Sequence, residues 1–351
     1  TVLTVTFVST GSASGSGSPT ETCPSTSDQV LTVSEADGAS ATGCDLEGMS
    51  VVSTSGTVVV PEVGEAISLT DMMSNGTETG LIVGVTPDGT VEVEMTHESA
   101  PSTSGEDSEA SLDPQDIEFP NRPPPIESNK CNSSAHALTG TRWGDTSPEW
   151  RINQGTIPTA EVSVAGAVTA IRTALGNVVH QENSCGFGDA TTISGTYLGD
   201  TNVVAPISFD SAGNSVCMAN STRDGLNEVQ FGQRGSKQNS IVLATTCARR
   251  NYRDGVDQTA EVDMEIASSF AAFGSRPAFA AGWTIYPNAS YCEQDRDFDL
   301  EGVATHEFGH WYGLAHVTDD SQLMFPNPSK PCATDWRYLG RGDILGMRAL
   351  Y

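Results

Sequence analysis

One short stretch near the C-terminus of this 351-residue chain carries a spacing that chance rarely produces: His306-Glu307-Phe308-Gly309-His310-Trp311-Tyr312-Gly313-Leu314-Ala315-His316. The pattern is H-E-x-x-H-x-x-G-x-x-H. Residues four apart lie on one face of an α-helix, so the imidazoles of His306 and His310 can reach the same metal ion. Glycine adopts left-handed backbone conformations without a Cβ clash. Gly313 can therefore end the helix and turn the chain, which lets His316 supply the third ligand.

The residue types in this pattern predict the chemistry of the site. Three neutral imidazoles, from His306, His310 and His316, would leave one position of a zinc ion open, as in catalytic rather than structural zinc sites. Such a zinc lowers the pKa of its bound water and polarises a scissile carbonyl, and Glu307 is placed to act as the general base. H-E-x-x-H alone is weak evidence for a zinc site, since two histidines one turn apart can simply be solvated. The full pattern, with Gly313, predicts a catalytic zinc site.

The residues before the histidines predict the helix that would carry them. Four apolar residues recur there at helical spacing: Leu300, Val303, Ala304 and Phe308. Such a stripe gives the helix a buried side next to the metal. Asp297 or Asp299 can cap its N-terminus, because a side-chain oxygen at this position accepts hydrogen bonds from the first backbone N–H groups.

A second stretch, Leu323-Met324-Phe325-Pro326, completes a resemblance to the metzincin peptidases, and among them to the matrixins. It is similar to the Met-turn that runs beneath the metal in that clan. Met324 comes eight residues after His316, and matrixins have a connection of this short kind. The last residues, 339–351, are similar to the C-terminal helix of a matrixin catalytic domain. Val317 departs from the pattern, since vertebrate matrixins have serine after the third histidine.

The resemblance implies a fold, a set of supporting residues and a function. The fold would be α+β, with a twisted mixed sheet, long helices, the active-site helix and the Met-turn. Met324 would form an apolar floor under the ligands without bonding to zinc, and Gly313 would turn the chain. Phe325 and Pro326 would wall the pocket for the side chain that follows the cut bond. We expect a zinc metalloendopeptidase that cleaves protein or peptide substrates, with Glu307 as general base.

Two other interpretations remain. The chain could be an adhesion or surface protein whose metzincin fold is catalytically silent, but such a protein would need the metal ligands without the carboxylate of Glu307. It could also be a pappalysin-like metzincin, which keeps the chemistry and changes the substrate. Trp311 is compatible with that branch, whereas the short link to Met324 favours a matrixin.

The composition of the chain limits which binding partners and which cellular compartment can be expected for the protein. The chain has 17 Lys and Arg against 45 Asp and Glu, a net charge of −28. Nucleic acid is therefore not an expected partner, because phosphate binding needs a basic surface. No apolar run is long enough to span a membrane. We expect a secreted monomer.

The eight cysteines support the extracellular assignment. They are even in number and contain no C-x-x-C pair, which favours disulfides in an oxidising compartment over a cysteine zinc site. Eight cysteines allow 105 pairings, so the connectivity cannot be read from the sequence. From domain membership alone we expect Cys23 to pair with Cys44 and Cys292 with Cys332.

The order of composition along the chain predicts four segments. Residues 1–28 read as a signal-peptide remnant or flexible tail. Residues 29–97 alternate short apolar runs with turns and predict a small β-rich accessory domain or pro-domain. Residues 98–130 are rich in Ser, Pro and acidic residues and read as a linker. Residues 131–351 form the expected zinc peptidase domain, with a strand at 149–153 and an amphipathic helix at 161–179.

Two further features concern calcium and latency. The acidic runs 254–257 and 293–299 could supply oxygen ligands for Ca²⁺, although in so acidic a chain such runs are more often solvated. Vertebrate matrixins are kept inactive by a propeptide cysteine in P-R-C-G-x-P-D, and no such motif occurs in this sequence. We therefore expect that residues before about 120 do not act through a cysteine.

Overall fold

The computed structural model of the chain describes residues 23–24, 29–73, 78–98, 127–144, 147–211, 213–217, 224–233, 236–237, 240–253, 256–269, 283–285, 297–326 and 334–351. The expected tail at 1–28 and linker at 98–130 lie largely outside these residues. Runs 254–257 and 293–299, the two candidate calcium clusters, also lie partly outside them.

A large mixed sheet organises the described part of the chain. Its eight consecutive strands occur in the order β6-β5-β4-β14-β15-β12-β8-β9, and a short strand, β13, pairs with β14. The bounds are β4 Glu65–Met73, β5 Glu78–Val85, β6 Val91–Glu98, β8 Glu149–Ile152, β9 Thr196–Asp200, β12 Glu228–Gln233, β13 Ser236–Lys237, β14 Ser240–Arg253 and β15 Val256–Ser269. Neighbouring strands are parallel from β15 through β12 and β8 to β9. They are antiparallel from β6 through β5, β4 and β14 to β15.

Smaller sheets complete the β-structure. A five-stranded sheet has the order β1-β2-β3-β11-β10. Its bounds are β1 Val30–Thr32, β2 Ser50–Val52, β3 Thr57–Val59, β10 Ile207–Phe209 and β11 Ser215–Cys217. Two short pairs join β7 Ala137–Leu138 to β18 Leu314–Ala315, and β16 Trp283–Thr284 to β17 Phe298–Asp299.

Five α-helices accompany the sheets in the described residues. They are α1 Val33–Ala36, α2 Glu127–Asn132, α3 Val164–Val179, α4 Leu300–Trp311 and α5 Arg341–Leu350. The expected helix at 161–179 begins three residues later, because Ser163 is its N-cap and accepts a hydrogen bond from the Gly166 N–H. The cap of α4 is Asp299, one of the two expected residues, which accepts from the Gly302 N–H at 2.9 Å.

Two apolar cores lie on the faces of the large sheet. One packs the sheet against α3, α4 and α5 and contains residues such as Trp150, Phe308 and Met347. The other packs β4 to β6 against the five-stranded sheet and contains residues such as Val58 and Leu81. Strand alternation explains this arrangement, since successive side chains of one strand point to opposite faces.

The β-rich residues 29–98 are joined to the rest of the chain through both sheets. Strand β4 pairs with β14 from Glu65 opposite Asn251 to Met73 opposite Val242. Strand β3 pairs in parallel with β11. A division of the chain into an accessory or pro-domain and a peptidase domain stays a prediction, but the β-ladder is continuous between them.

Three disulfides are present among the described cysteines, and each of these cysteines is paired. They join Cys23 to Cys44, Cys131 to Cys185, and Cys217 to Cys247. The first pair confirms one of the two expectations. The other expected pair, Cys292 with Cys332, lies outside the described residues.

None of the described helices is both long enough and apolar enough to cross a bilayer.

Candidate active site

Helix α4 and the turn after it bring three histidines together. His306 and His310 are one turn apart on α4, and the helix ends at Trp311. Gly313 follows with φ +94°, a left-handed backbone conformation that residues with a side chain rarely adopt. A Cβ at Gly313 would also lie 2.2 Å from the carbonyl oxygen of Thr141. This position therefore requires glycine for two reasons: its backbone angle and the close approach of the Thr141 carbonyl group.

The three imidazoles point their Nε2 atoms at a common centre. Nε2 of His310 lies 3.1 Å from Nε2 of His306 and 2.7 Å from Nε2 of His316. Nδ1 of His306 lies 2.8 Å from the Leu323 carbonyl oxygen, and Nδ1 of His310 lies 2.9 Å from the Leu314 carbonyl oxygen.

These contacts fix the protonation of two rings. A carbonyl oxygen can only accept, so Nδ1 of His306 and of His310 carries the proton and donates it. Each Nε2 is then left with a lone pair directed at the centre. Pinning the far nitrogen of a histidine to an acceptor is the arrangement that orients metal-binding imidazoles. Together with Nε2 of His316, these two nitrogens fit the tetrahedral, nitrogen-preferring coordination of zinc.

Glu307 follows His306 on α4 and is fully buried, with 0% of its surface exposed. The Thr246 hydroxyl, from β14, donates a hydrogen bond to Oε2 of Glu307. A hydroxyl that donates to one oxygen restricts the rotation of the carboxylate. Thr246 therefore holds the carboxylate in place, and the sequence alone gave no sign of this contact because 61 residues separate the pair.

The stretch that is similar to a Met-turn packs against helix α4. Met324 is 1% exposed, and its Sδ lies 2.3 Å from where a Cβ at Gly309 would be, so any larger residue at Gly309 would collide with it. Phe325 and Pro326 are buried next to it. The indole of Trp336 stacks on the His306 ring with centroids 5.7 Å apart. The apolar surroundings of the histidines thus come from both sides of the turn.

Asp343, near the start of α5, connects that helix to the Met-turn. Its carboxylate accepts from the backbone N–H groups of Leu323, Met324 and Gly340 at 2.8, 3.2 and 2.7 Å. Burial raises the pKa of this carboxyl group, and the three backbone donors oppose that rise. Because the Leu323 carbonyl receives the His306 Nδ1–H, Asp343 fixes the peptide that orients a ligand. The sequence analysis missed this residue.

The N-terminus of α4 is anchored by a second buried charge. Arg337 donates to both oxygens of Asp299, at 2.7 and 2.5 Å, and lies 3.2 Å from a carboxylate oxygen of Glu301. Burial raises the pKa of Asp299, while the hydrogen bonds and charge of Arg337 oppose that rise. This bidentate pair holds the helix that carries the histidines against the short 3-10 helix Thr334–Arg337.

The fold and the geometry together define a class: an α+β protein whose central helix presents a three-histidine metal centre of the zinc-peptidase type. The family model described as matrixin matches residues 160–351. This is more than half of the 351 residues, so the chain belongs to the matrixin family, whose members depend on zinc. The expected family, the α+β fold class and the zinc cofactor are confirmed.

Curated relatives are similar over a short segment. Metalloendoproteinase 1 from Glycine max is 48% identical over 88 residues, which cover 24% of this chain and 28% of that protein. Matrix metalloproteinase-20 from Homo sapiens is 40% identical over 72 residues, covering 20% of this chain and 13% of that protein. Interstitial collagenase from Equus caballus is 39% identical over 80 residues, covering 21% and 16%. The chain therefore spans less than a third of the length of these relatives.

Proposed function

We propose that this chain is a secreted zinc-dependent endopeptidase in which His306, His310 and His316 hold the metal and Glu307 is the general base. One observation carries the proposal. Three imidazole nitrogens converge on one centre, the Nδ1 atoms of His306 and His310 are tied to carbonyl oxygens, and the buried Glu307 follows His306 on the same helix. When bound, zinc would supply the Lewis acidity that polarises a scissile carbonyl.

The residues of the chain would do the rest. Glu307 would accept a proton from the attacking water and pass it to the leaving amine. Thr246 would hold the carboxylate in the orientation needed for both transfers. Met324 and Pro326 would keep the region beneath the histidines apolar, which strengthens electrostatic interactions in the site.

The remaining parts of the proposal concern location and partners. Disulfides in the described residues suit an oxidising compartment, and this supports secretion. Protein or peptide substrates follow from membership of a peptidase family. A monomer and bound Ca²⁺ stay predictions.

A metal analysis combined with a binding assay tests the proposal. Purified wild-type protein should contain about one zinc per chain and bind acetohydroxamate, a small zinc-binding acid, whereas His316→Ala should lose most of both. Chelation should abolish acetohydroxamate binding and added zinc should restore it. A mixed peptide library would then report cleavage. A protein without zinc and without acetohydroxamate binding is not a zinc peptidase, and a zinc-loaded protein that cleaves no member of the library would favour the silent adhesion protein.

A further inference from the structure

Strand β14 is the strand that lies against the proposed general base. Its residue Thr246 donates to Glu307, so the side chains on this face of β14 point at the active-site helix. One edge of β14 pairs with β15. The other edge pairs with β4 and is therefore not open to solvent.

Strand β4 occupies this second edge along the part nearest to Glu307. Thr70 stands opposite Thr246, and Met72 stands opposite Ala244. Directly opposed residues in a β-ladder project to the same face, so Thr70 and Met72 also face α4. Met72 is 0% exposed and belongs to the apolar core that contains Phe308. Among the described residues of 29–98, Met72 alone belongs to that core.

An occupied edge has a consequence for binding. An extended peptide binds a sheet by adding a strand, and it needs the unpaired N–H and C=O groups of an edge. The groups on the outer edge of β14 already pair with β4 from Glu65 to Met73. The side chains beside this edge are buried: His306 and Glu307 are 0% exposed and His310 is 7% exposed.

Resting on the proposed function, we propose that β4 is an internal ligand of the active site, which occupies the edge of β14 where an extended peptide substrate would pair. The attachment of β4 is non-covalent in the described part of the chain. Cys23–Cys44 lies within the N-terminal segment that contains β4, while Cys131–Cys185 and Cys217–Cys247 join residues that all follow that segment in the chain. Strand β4 can therefore leave β14 without breaking a disulfide among these three, and substrate and β4 compete for one edge.

Competition predicts that weakening β4 raises the apparent affinity for peptides, because apparent affinity scales with the fraction of molecules whose edge is free. Met72→Asp places a carboxylate in the apolar core and should loosen β4. We expect at least about a tenfold gain in peptide affinity and in cleavage rate. Met95→Asp is the matched control, because it makes the same change in β6 at a side chain that is 50% exposed. Equal affinities in Met72→Asp and Met95→Asp, with both folded by circular dichroism, would contradict the proposal.

A second measurement uses the unmodified chain and does not depend on a variant folding. Hydrogen exchange is followed in zinc-loaded protein with tetra-alanine hydroxamate, which has a peptide part, and with acetohydroxamate, which has none. We expect the peptide hydroxamate to accelerate exchange in residues 65–73 while protecting β14, and acetohydroxamate to change neither. Binding of the peptide hydroxamate with 65–73 still protected would overturn the internal ligand but leave the zinc peptidase intact. Failure of both hydroxamates to bind would overturn the proposed function, and the internal ligand with it.

Discussion

At the scale of single residues, Asp343 is the carboxylate on which the Met-turn depends most. Replacing it with alanine would leave three buried backbone N–H groups without their acceptor, those of Leu323, Met324 and Gly340. Each unsatisfied buried donor costs about 1–3 kcal/mol, so Asp343→Ala should lose several kcal/mol of unfolding free energy. Zinc affinity should also fall about 10- to 100-fold, because the Leu323 carbonyl would no longer orient His306.

Urea denaturation and competition with a zinc chelator measure these two losses. The exposed carboxylate Glu47 provides the control, and Glu47→Ala should change neither quantity. Zinc affinity equal to that of the parent in a folded Asp343→Ala protein would show that the Met-turn keeps His306 in place without this carboxylate.

Glu228 gives a pH dependence that is independent of the metal site. Burial, together with the charge of Asp224, raises the pKa of Glu228 from 4.5 to about 7. The folded protein then holds this proton more tightly than the unfolded chain. The contribution of Glu228 to stability is greatest below 4.5 and falls as the pH rises towards about 7.

Glu228→Gln removes this ionisation while keeping the shape of the side chain. The variant should be more stable than the parent at about pH 8, by on the order of 1 kcal/mol, since one unit of pKa corresponds to about 1.4 kcal/mol. The two proteins should have similar stability near pH 4. Thermal unfolding at both pH values gives the comparison, and a parent that is the more stable protein at the higher pH would refute this account of Glu228.

At the scale of elements, the cap of α4 should matter more than an ordinary helix cap. Asp299→Ala removes the acceptor for Gly302 and leaves the buried guanidinium of Arg337 without its bidentate partner. Loss of a cap costs about 0.5–2 kcal/mol, and breaking a buried ion pair by removing one partner costs about 3–5 kcal/mol.

The control is the cap of α3. Ser163→Ala removes the bond to Gly166 and should cost only about 1 kcal/mol, without loss of zinc. Calorimetry and zinc analysis of both variants would separate the two cases. Similar losses of stability in Asp299→Ala and Ser163→Ala would mean that Arg337 contributes little to holding α4.

The elements also show what a sequence can reveal. The helix α4, a cap at Asp297 or Asp299 and the turn at Gly313 followed from local spacing, because each depends on residues within one or two helical turns. Three contacts depend on residues far apart in the chain: the hydrogen bonds that Asp343 accepts from the Met-turn, the hydrogen bond from Thr246 to Glu307, and the pairing of β4 with β14. In the sequence these aspartate, threonine and strand residues look like many others in the chain. Only folding brings each of them next to its partner.

At the scale of the whole molecule, the structure bears on how the site would be kept inactive. The described cysteines, all of which precede the histidine site, are paired: Cys23 with Cys44, Cys131 with Cys185, and Cys217 with Cys247. A paired sulfur is not available as a thiolate for zinc. In this structure the outer edge of β14, the strand that carries Thr246, is instead paired with β4.

Cysteine variants test this difference. Cys23→Ser, Cys44→Ser and Cys131→Ser should each lose the stability of one disulfide, about 2–5 kcal/mol, with no rise in peptide cleavage. Cleavage assays run beside circular dichroism would show this. A jump in cleavage by any one of these variants, with its fold intact and residues 65–73 still protected from hydrogen exchange, would mean that a cysteine and not β4 restrains the active site.

The most direct measurement of the central claim compares parent and Glu307→Gln for peptide hydrolysis per bound zinc. The substitution keeps the volume of the side chain and leaves the three histidines untouched. We predict equal zinc content and a cleavage rate lower by a factor of at least about 10² to 10⁴, the usual cost of losing a general base. A Glu307→Gln protein that carries zinc and cleaves as fast as the parent would contradict the account.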